Sequence, residues 1–301
     1  LDRVDVTVLI PTYNRKDILH KVLSGLFKQE TECQFEIVIV DDGSTDGTFE
    51  SLKELDPPVE VVFISVKHQG PSGARNSGLR ISRGDLIIFM DSDIYPSPEF
   101  VEAHYRSHTK DNLIGHGPVI HTNDLENPTE AEKKVTDIAR AFFATGNASI
   151  YRKHLFDAGL FDEDFREYGW EDLEFGLRLR KKGLQKIEVP NAKGYHYKPK
   201  LVVTDLHKWK RRERERGHTA VLYYQKHPIR KVKIQTMISP FWFGLDRLLS
   251  LGGWTEKPST EKYLRKIEQK GRKLWLRFVV RLITSHSYFE GIREALREGK
   301  N

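Results

Sequence analysis

Short apolar runs alternate with helical patterns along the first hundred residues of the chain. Four of these runs have the length and the bounding turn residues of buried strands, at positions 6–10, 35–40, 59–65 and 85–90. Helical patterns at residues 18–26, 48–55 and 74–82 lie between them. Strands that alternate with helices at this pitch predict an α/β fold with a doubly wound, mostly parallel sheet.

Polar loops follow three of the predicted strands, at residues 11–15, 41–46 and 91–93. In a doubly wound sheet, ligands bind outside the carboxyl ends of the strands, so these three loops should converge on one edge. Asp, Gly and Ser are also ordinary turn residues, and any one loop is equally well explained as a turn. The convergence of three such loops favours a ligand site.

Several segments occur in the order found in a known family. Residues 6–15 (VTVLIPTYNR) and 37–46 (IVIVDDGSTD) resemble the opening of family 2 glycosyltransferases, and GARNSG at 73–78 and DSD at 91–93 follow. Further on, GNAS at 146–149 resembles the acceptor-side half, and WEDLE at 170–174 resembles a galactosyltransferase-like Trp-Glu-Asp motif. The resemblance implies a GT-A (Rossmann-like) catalytic domain at 1–197, with a nucleotide-binding half at 1–100 and an acceptor-side half at 101–197.

The resemblance also implies a site for a nucleotide-sugar donor. Residues 11–13 would pack around the base, and Asp42 would accept a hydrogen bond from it, which requires a base with a ring N–H such as uracil. Arg75 would lie near the base or a phosphate, although it could instead be a charge on a helix surface, and Arg15 is a candidate for the diphosphate. The implied donor-binding residues are Pro11, Thr12, Tyr13, Arg15, Asp42, Arg75, Asp91 and Ser92.

A divalent cation is expected because the leaving diphosphate gains negative charge as the glycosidic bond breaks. Hard cations such as Mg²⁺ and Mn²⁺ take oxygen ligands. By resemblance, Asp93 is the metal ligand and Asp91 contacts the ribose, with a second role at the metal. His196 stands where some relatives place a third ligand, although a lone histidine is more often structural.

Inverting transfer needs a general base to deprotonate the acceptor hydroxyl. By resemblance, Asp172 is that base and Glu171 holds the acceptor or the loop, and the reverse assignment stays open. Both carboxylates precede a helical pattern, where acidic residues also serve as caps. Trp170 could stack on a sugar or belong to the core, and the implied acceptor-binding residues are Trp170, Gly146 and Asn147.

Charge is distributed unevenly along the chain. Residues 198–301 contain 25 Lys and Arg against 10 Asp and Glu, a net +15, whereas residues 1–197 sum to −9. The basic part reads as a helical extension, with a broken apolar segment at 237–254 and an amphipathic basic helix at 263–283. This pattern favours an anionic membrane surface as a partner rather than nucleic acid. A helical hairpin packed on the protein or on another subunit is the alternative.

Two further features bear on location. Cys33 is the only cysteine, so a disulfide framework is excluded and a reducing compartment fits best. No apolar run approaches the roughly 18 to 20 residues that span a bilayer. We therefore expect a cytoplasmic protein, peripheral at the inner face of the membrane.

These features predict a metal-dependent, inverting glycosyltransferase that moves a hexosyl or N-acetylhexosaminyl group from a UDP-sugar to a hydroxyl of a glycolipid or polysaccharide. One alternative is a nucleotidyltransferase-like enzyme, but residues 11–15 lack the glycines of a phosphate-binding loop. The other is a polyanion-binding protein on a non-catalytic GT-A scaffold. The presence of Asp91, Asp93 and Asp172 argues against a degenerate site.

Overall fold

A computed structural model describes residues 3–132 and 141–299. The described residues form two compact units. The N-terminal unit contains the residues up to Arg166 together with Glu171–Pro199, and the C-terminal unit contains Glu167–Trp170 and the residues from Lys200 onward. The domain boundary between residues 197 and 198 stays a prediction.

The strands of the N-terminal unit form two sheets. They are β1 (Val6–Thr12), β2 (Phe35–Asp41), β3 (Glu60–Ser65), β4 (Leu86–Met90), β5 (Ile94–Pro96), β6 (Leu113–His116), β7 (Val119–Thr122), β8 (Asn147–Tyr151), β9 (Gln185–Glu188) and β10 (Gly194–Tyr197). In the described part, the larger sheet has seven strands in the order β3-β2-β1-β4-β8-β6-β9, and the smaller has the order β5-β10-β7. Only β8 runs antiparallel to its neighbours in the larger sheet.

Eleven α-helices lie in the described residues. They are α1 (Lys16–Leu26), α2 (Thr48–Leu52), α3 (Gly70–Ile81), α4 (Phe100–Ser107), α5 (Arg152–Asp157), α6 (Glu171–Lys181), α7 (Leu206–Lys226), α8 (Arg230–Gln235), α9 (Pro240–Leu249), α10 (Pro258–Gln269) and α11 (Lys273–Glu298). Short 3₁₀ helices occupy Pro128–Glu130, Val203–Asp205 and Leu251–Glu256. Among these helices, none combines the length and the apolar character that a membrane crossing requires.

The central strands are apolar at nearly every position because both faces of the large sheet are covered. Along β1, Val8 and Ile10 belong to one buried cluster and Leu9 belongs to another. Successive side chains of a strand point to opposite faces, so each cluster fills one side of the sheet. The four predicted strands are mostly apolar for this reason, and the few polar side chains among them include Thr7 and Glu36, which are buried.

The strand order brings the polar loops together. β1 lies between β2 and β4 and is parallel to both. The carboxyl ends of these three strands therefore meet at one edge of the sheet, which confirms the predicted doubly wound arrangement and places the loops after them side by side.

In the C-terminal unit, α7 and α11 pack closely through glycines. A Cβ atom on Gly217 would lie 2.2 Å from the Tyr288 carbonyl oxygen, and one on Gly291 would lie 2.1 Å from that of Arg214. The expected single helix at 263–283 is wrong, because Gly271 has φ of +66° and separates α10 from α11. Leu264 of the expected amphipathic stripe is buried in the core of this unit instead.

Candidate active site

The loops after β1 and β2 are joined by hydrogen bonds at the edge of the sheet. The Asn14 backbone N–H donates to Ser44 Oγ at 2.8 Å, and the Thr45 N–H donates to Asn14 Oδ1 at 2.8 Å. Asn14 has φ of +52°, a left-handed conformation that asparagine tolerates better than most residues. The two loops therefore form one connected rim.

Asp42 is buried behind this rim and is occupied by backbone donors. Its Oδ1 accepts the Gln69 N–H at 2.8 Å and its Oδ2 accepts the Gly70 N–H at 3.0 Å. Burial raises the pKa of Asp42, and these hydrogen bonds oppose that change. In this conformation Asp42 fixes the turn before α3, so the geometry does not support the expected contact between Asp42 and a base.

An aromatic pair stands at the same edge. The exposed ring of Tyr13 stacks on His68, with ring centroids 4.6 Å apart and planes inclined by 26°. His68 Nδ1 also lies 2.9 Å from Asp42 Oδ2. His68 was missed in the sequence, although its position just after β3 places it at the end of a neighbouring strand. Thr12 Oγ1 is buried here and has no hydrogen-bond partner among the described residues, and Pro11 lies opposite Val40 in the sheet.

The side chains of His196 and Arg15, candidates for binding a metal and a phosphate, lie beside Asp93. His196 Nε2 lies 3.4 Å from Asp93 Oδ1, and an Arg15 guanidinium nitrogen lies 3.5 Å from Oδ2. β10 pairs with β5, and this pairing sets His196 opposite Ile94, one residue after Asp93. The structure therefore brings together three residues that the sequence had placed far apart.

Asp91 and Arg75 form the next contact along the edge. An Arg75 guanidinium nitrogen lies 3.7 Å from Asp91 Oδ1. Desolvation raises the pKa of Asp91, Arg75 lowers it and the charge of Asp93 raises it again. The Asp91 side chain is 40% exposed, but a carboxylate can touch water in a recess and still be desolvated. Gly146 leaves room for it, since a Cβ there would lie 2.9 Å from Asp91 Oδ2.

Arg75 links this carboxylate to Glu171 at the start of α6. Its Nη1 donates to Glu171 Oε1 at 3.0 Å, and Arg75 as a whole is only 6% exposed. Arg75 is therefore a buried bridge between Asp91 and Glu171, and not the helix-surface charge that the sequence left open. Glu171 Oε2 and Arg75 Nε are buried without hydrogen-bond partners among the described residues.

The pKa of Asp172 is raised well above its usual value. Burial and then the neighbouring charge of Glu171 raise its pKa to about 7, whereas Arg75 lowers it. Asp172 Oδ1 accepts the Leu173 N–H at 2.7 Å at the start of α6. A carboxylate whose pKa lies near neutral pH can both accept and release a proton there, which suits a general base.

The residue before this pair has a strained backbone. Trp170 has φ of +69°, a conformation that costs energy for a bulky side chain, and Gly169 before it has φ of +106°. Trp170 belongs to the C-terminal unit, where its Nε1–H donates to the Arg216 carbonyl at 3.0 Å and its ring stacks on Tyr223. It is 7% exposed, so in this conformation the ring does not offer a face to a sugar.

Asn147 is likewise committed to protein contacts. Its amide nitrogen donates to the carbonyls of Pro118 and Ala192, and its Oδ1 lies 2.8 Å from His104 Nε2. The side chain is 2% exposed, which does not support the expected contact with an acceptor. Ser92, between the two aspartates, is also buried. The network around His104 was missed because histidine alone gives no sequence signal for burial.

The chemistry of the donor set fits a divalent cation. Within residues 3–132 and 141–299, no group of three or more His, Cys, Asp or Glu side chains is arranged to hold a metal. Asp93 and His196 nevertheless present an oxygen and a nitrogen at close range, a pairing that Mn²⁺ accepts. Cations at phosphate-transfer sites commonly take one or two protein ligands and complete their coordination with substrate phosphates and water.

Structures of known proteins share this fold. The mannosyltransferase PcManGT from Pyrobaculum calidifontis, solved with GDP-Man and Mn²⁺, matches with a TM-score of 0.60 at 19% identity, over 98% of this chain and 88% of that chain. Staphylococcus aureus TarS 1–349 in complex with UDP-GlcNAc matches with a TM-score of 0.54 at 17% identity, over 98% and 92%. These likenesses confirm the predicted GT-A fold.

Sequence comparison adds the family. A chondroitin synthase from Escherichia coli is 30% identical over 238 residues, which cover 64% of this chain and 35% of that protein. The uncharacterized glycosyltransferase YfnE of Bacillus subtilis is 29% identical over 238 residues, covering 59% and 61%. The chain thus spans less than two thirds of either relative. The family described as Glycosyl transferase family 2 matches residues 7–161, half of the chain, and the chain belongs to that family.

Proposed function

We propose that the protein is an inverting glycosyltransferase that transfers a hexosyl or N-acetylhexosaminyl group from a UDP-sugar to an acceptor hydroxyl. One observation carries the proposal. The Asp93 and His196 pair, which suits a cation and a diphosphate, lies on the same sheet edge as Asp91, and Arg75 connects Asp91 to the carboxylates at the start of α6. Leaving-group stabilisation and proton removal, the two requirements of transfer, thus have candidate groups within one linked set.

The nature of the donor is supported by what similar proteins bind. TarS has been solved with UDP-GlcNAc, and chondroitin and hyaluronan synthases are among the relatives in sequence. PcManGT has been solved with GDP-Man, so guanine nucleotides belong in any test. On this chain, Tyr13 and His68 offer an exposed aromatic surface for a base.

We assign the cation to Asp93 and His196, with Asp91 close by. When bound, the cation would stabilise the charge that develops on the leaving diphosphate. Arg15 contributes a further positive charge at Asp93. Mn²⁺ and Mg²⁺ are the candidates, and the Mn²⁺ in PcManGT supports the former.

The proton chemistry is assigned to Asp172. As the acceptor oxygen bonds to the anomeric carbon and the bond to the diphosphate breaks, the hydroxyl proton passes to the Asp172 carboxylate. Attack opposite the leaving group inverts the anomeric configuration. Glu171 is held by Arg75 and acts by positioning, so the Trp-Glu-Asp segment serves in this proposal to present Asp172 rather than to stack on the acceptor.

The acceptor is proposed to be a growing polysaccharide or a glycolipid. The names of the synthases among the relatives support a polymer of sugars. We also propose that the protein works at the cytoplasmic face of a membrane, as a peripheral protein, because its residues 198–301 carry a net charge of +15.

A thermal-shift experiment tests the donor site. The melting temperature of the full chain is measured with UDP, GDP and other nucleoside diphosphates, with and without Mn²⁺, and compared with Asp93→Ala and with Asp157→Ala, an exposed carboxylate as control. A ligand that binds only the folded state raises the melting temperature. We expect a Mn²⁺-dependent rise with UDP that Asp93→Ala abolishes and Asp157→Ala retains. No rise with any nucleotide would favour a non-catalytic scaffold.

A further inference from the structure

The C-terminal unit exposes large apolar side chains that its core does not use. The five most exposed in the described residues all lie in this unit, and Leu274 is 83% exposed. They are Ile234, Phe241, Leu248, Leu251 and Leu274. Scattered apolar residues on a surface are ordinary, but a concentration of them in one region marks an interaction surface.

The same unit also has a cleft of about 400 Å³ between the 3₁₀ helix Leu251–Glu256, α10 and α11. Six of the side chains that line it, which we call the aromatic cleft, are Trp254, Tyr263, Trp275, Phe278, Val279 and Leu282. Trp275 stacks on Phe278 with ring centroids 5.3 Å apart, and its Nε1–H donates to the Tyr263 hydroxyl at 3.0 Å. Tryptophan and tyrosine with apolar bodies and polar tips suit the boundary between water and lipid.

The cleft borders the core of this unit, since Val279 belongs to that core and Trp254 packs against it. Leu264 and Ile267 of α10 and Leu276 and Ile283 of α11 are buried in the core of this unit and hold the two helices. Leu274 lies outside that core, so its exposure serves no purpose in folding. A free apolar surface of this kind costs solubility unless a partner covers it.

The surroundings of the cleft are strongly basic. Residues 257–281 contain nine Lys and Arg and two Asp and Glu. On α11, Arg277 and Arg281 follow Leu274 and Phe278 by three positions, and all four side chains are exposed. Residues three and four apart lie on one face of a helix, so cations and apolar groups alternate along the same surface.

The exposed apolar side chains and the exposed cations together indicate which class of partner binds here. Nucleic acid would use the cations and could stack on aromatic rings, but it gives no reason to expose aliphatic side chains such as Leu274 and Leu251. A bilayer that contains anionic phospholipid offers phosphate groups to the arginines and hydrocarbon to the leucines and aromatic rings. Charge and hydrophobicity are then both matched by one partner.

We propose that the aromatic cleft and the basic face around Leu274 form a docking surface for an anionic phospholipid bilayer. Acyl chains contact the cleft and Leu274, while lipid phosphates lie against Arg277 and Arg281. The inference rests on the proposed peripheral location but not on sugar transfer. It replaces the expected continuous amphipathic helix with a surface built from two helices and a 3₁₀ turn.

Sedimentation with large unilamellar vesicles tests this surface on the full chain. Vesicles of phosphatidylcholine alone are compared with phosphatidylcholine mixed with phosphatidylglycerol. We expect binding only to the mixed vesicles, and we expect it to weaken as salt is raised. Leu274→Ser/Phe278→Ser should lower the partition coefficient by about tenfold or more, since each side chain loses its contact with hydrocarbon. The matched control, Ile81→Ser/Tyr105→Ser, changes two exposed apolar residues of the N-terminal unit and should bind as the native chain does.

The basic part is tested separately. Arg277→Gln/Arg281→Gln should lower binding to the mixed vesicles by about fivefold for each charge at low salt, whereas Lys28→Gln/Lys110→Gln should not. The proposal would be overturned if the protein bound equally well to both kinds of vesicle, or if neither Leu274→Ser/Phe278→Ser nor Arg277→Gln/Arg281→Gln weakened the binding. So would self-association of the chain that Leu274→Ser/Phe278→Ser abolishes in the absence of vesicle binding, because the surface would then join two copies.

The two proposals fail independently. Vesicle binding is measured without nucleotide, and the UDP- and Mn²⁺-dependent melting shift of each C-terminal variant reports whether the donor site is intact. A variant that keeps the UDP- and Mn²⁺-dependent melting shift but no longer binds vesicles has lost only the docking surface.

Discussion

Replacing Asp172 with asparagine should strongly lower the activity of the protein and, at alkaline pH, make it more stable. The Asp172 pKa is raised from 3.8 to about 7 because burial and Glu171 oppose its negative charge. The folded state therefore holds the proton more tightly than the unfolded chain does. The stabilisation is complete below about pH 4 and is lost as the pH rises through about 7.

The size of the effect follows from the pKa. A tenfold change in proton affinity corresponds to about 1.4 kcal/mol, so the full change sets an upper limit of about 4 kcal/mol. Because Asp172 is only half-buried and water screens its charge, we expect about 1 to 3 kcal/mol. Asp172→Asn removes the charge and should therefore raise the free energy of unfolding by this amount at pH 8 and by much less at pH 4.

Two assays check this prediction together. Denaturant unfolding of both proteins across pH 4 to about 8.5 gives the difference in stability, and the contributions of groups distant from Asp172 cancel in that difference. Release of free UDP from the donor in the presence of acceptor gives kcat/KM, which should fall by about 10²- to 10⁴-fold on loss of a general base. In the native chain kcat/KM should decline below about pH 7.

A matched variant serves as the control, and three results would contradict the assignment of the base to Asp172. Asp157→Asn alters an exposed carboxylate and should change neither quantity. If Asp172→Asn retained activity within tenfold, or kept the decline below pH 7, the titrating base would be another group, and Glu171 would be the first candidate. If the stability difference did not grow with pH, the pKa of Asp172 would not be raised in the fold.

Three other changes probe the site and its support. Gly146→Ala places a Cβ 2.9 Å from Asp91 Oδ2 and should raise the Mn²⁺ concentration for half-maximal activity by about tenfold, as measured by metal titration. Gly217→Ala forces α7 away from α11 and should destabilise the chain by about 1 to 3 kcal/mol in denaturant unfolding, whereas Gly244→Ala, a helical glycine with nothing within 4 Å, should not. Burial lowers the pKa of three histidines, to about 3 for His104 and to about 4 for His108 and His116. Each of them stays neutral in the folded protein at pH 5 but is protonated in the unfolded chain, so lowering the pH from 7.5 to 5 in an Asp172→Asn background should reduce the free energy of unfolding by about 1 to 2 kcal/mol per histidine. Unchanged stability would contradict this prediction.

The sheet could be predicted from the sequence because its central strands leave no polar face. Residues 37–40 are apolar without interruption, and each lies buried in one of the two clusters that cover the sheet. Once parallel strands are inferred, the positions of Asp91 and Asp93 follow, because a polar residue just after a buried strand must lie at the carboxyl edge. The local sequence pattern is therefore enough to predict structure where the backbone geometry repeats regularly, as it does along a strand.

The roles of individual charged residues could not be predicted in this way. Arg75 lies on α3, where helical spacing alone cannot tell a buried position from an exposed one. Its partner Glu171 is 96 residues away in the chain. A pairing over that distance depends on how loops and helices pack, and no sequence period records it. For the same reason, the sequence motifs could not predict that the side chains of Trp170 and Asn147 are buried against other parts of the protein.

The position of Arg75 helps to explain how several carboxylates can lie close together at this edge of the sheet. A buried guanidinium between Asp91 and Glu171 offsets part of the repulsion among the carboxylates at this edge. Arg75 does not contact Asp172 within ion-pair distance in the described structure, and its lowering effect on the Asp172 pKa is smaller than the combined effect of burial and Glu171. One charge therefore holds two carboxylates in place and leaves the third with a proton affinity near neutral pH. In the proposed function, a diphosphate would lie beside Asp93 and a proton would be taken up at Asp172, the carboxylate that Arg75 leaves unpaired.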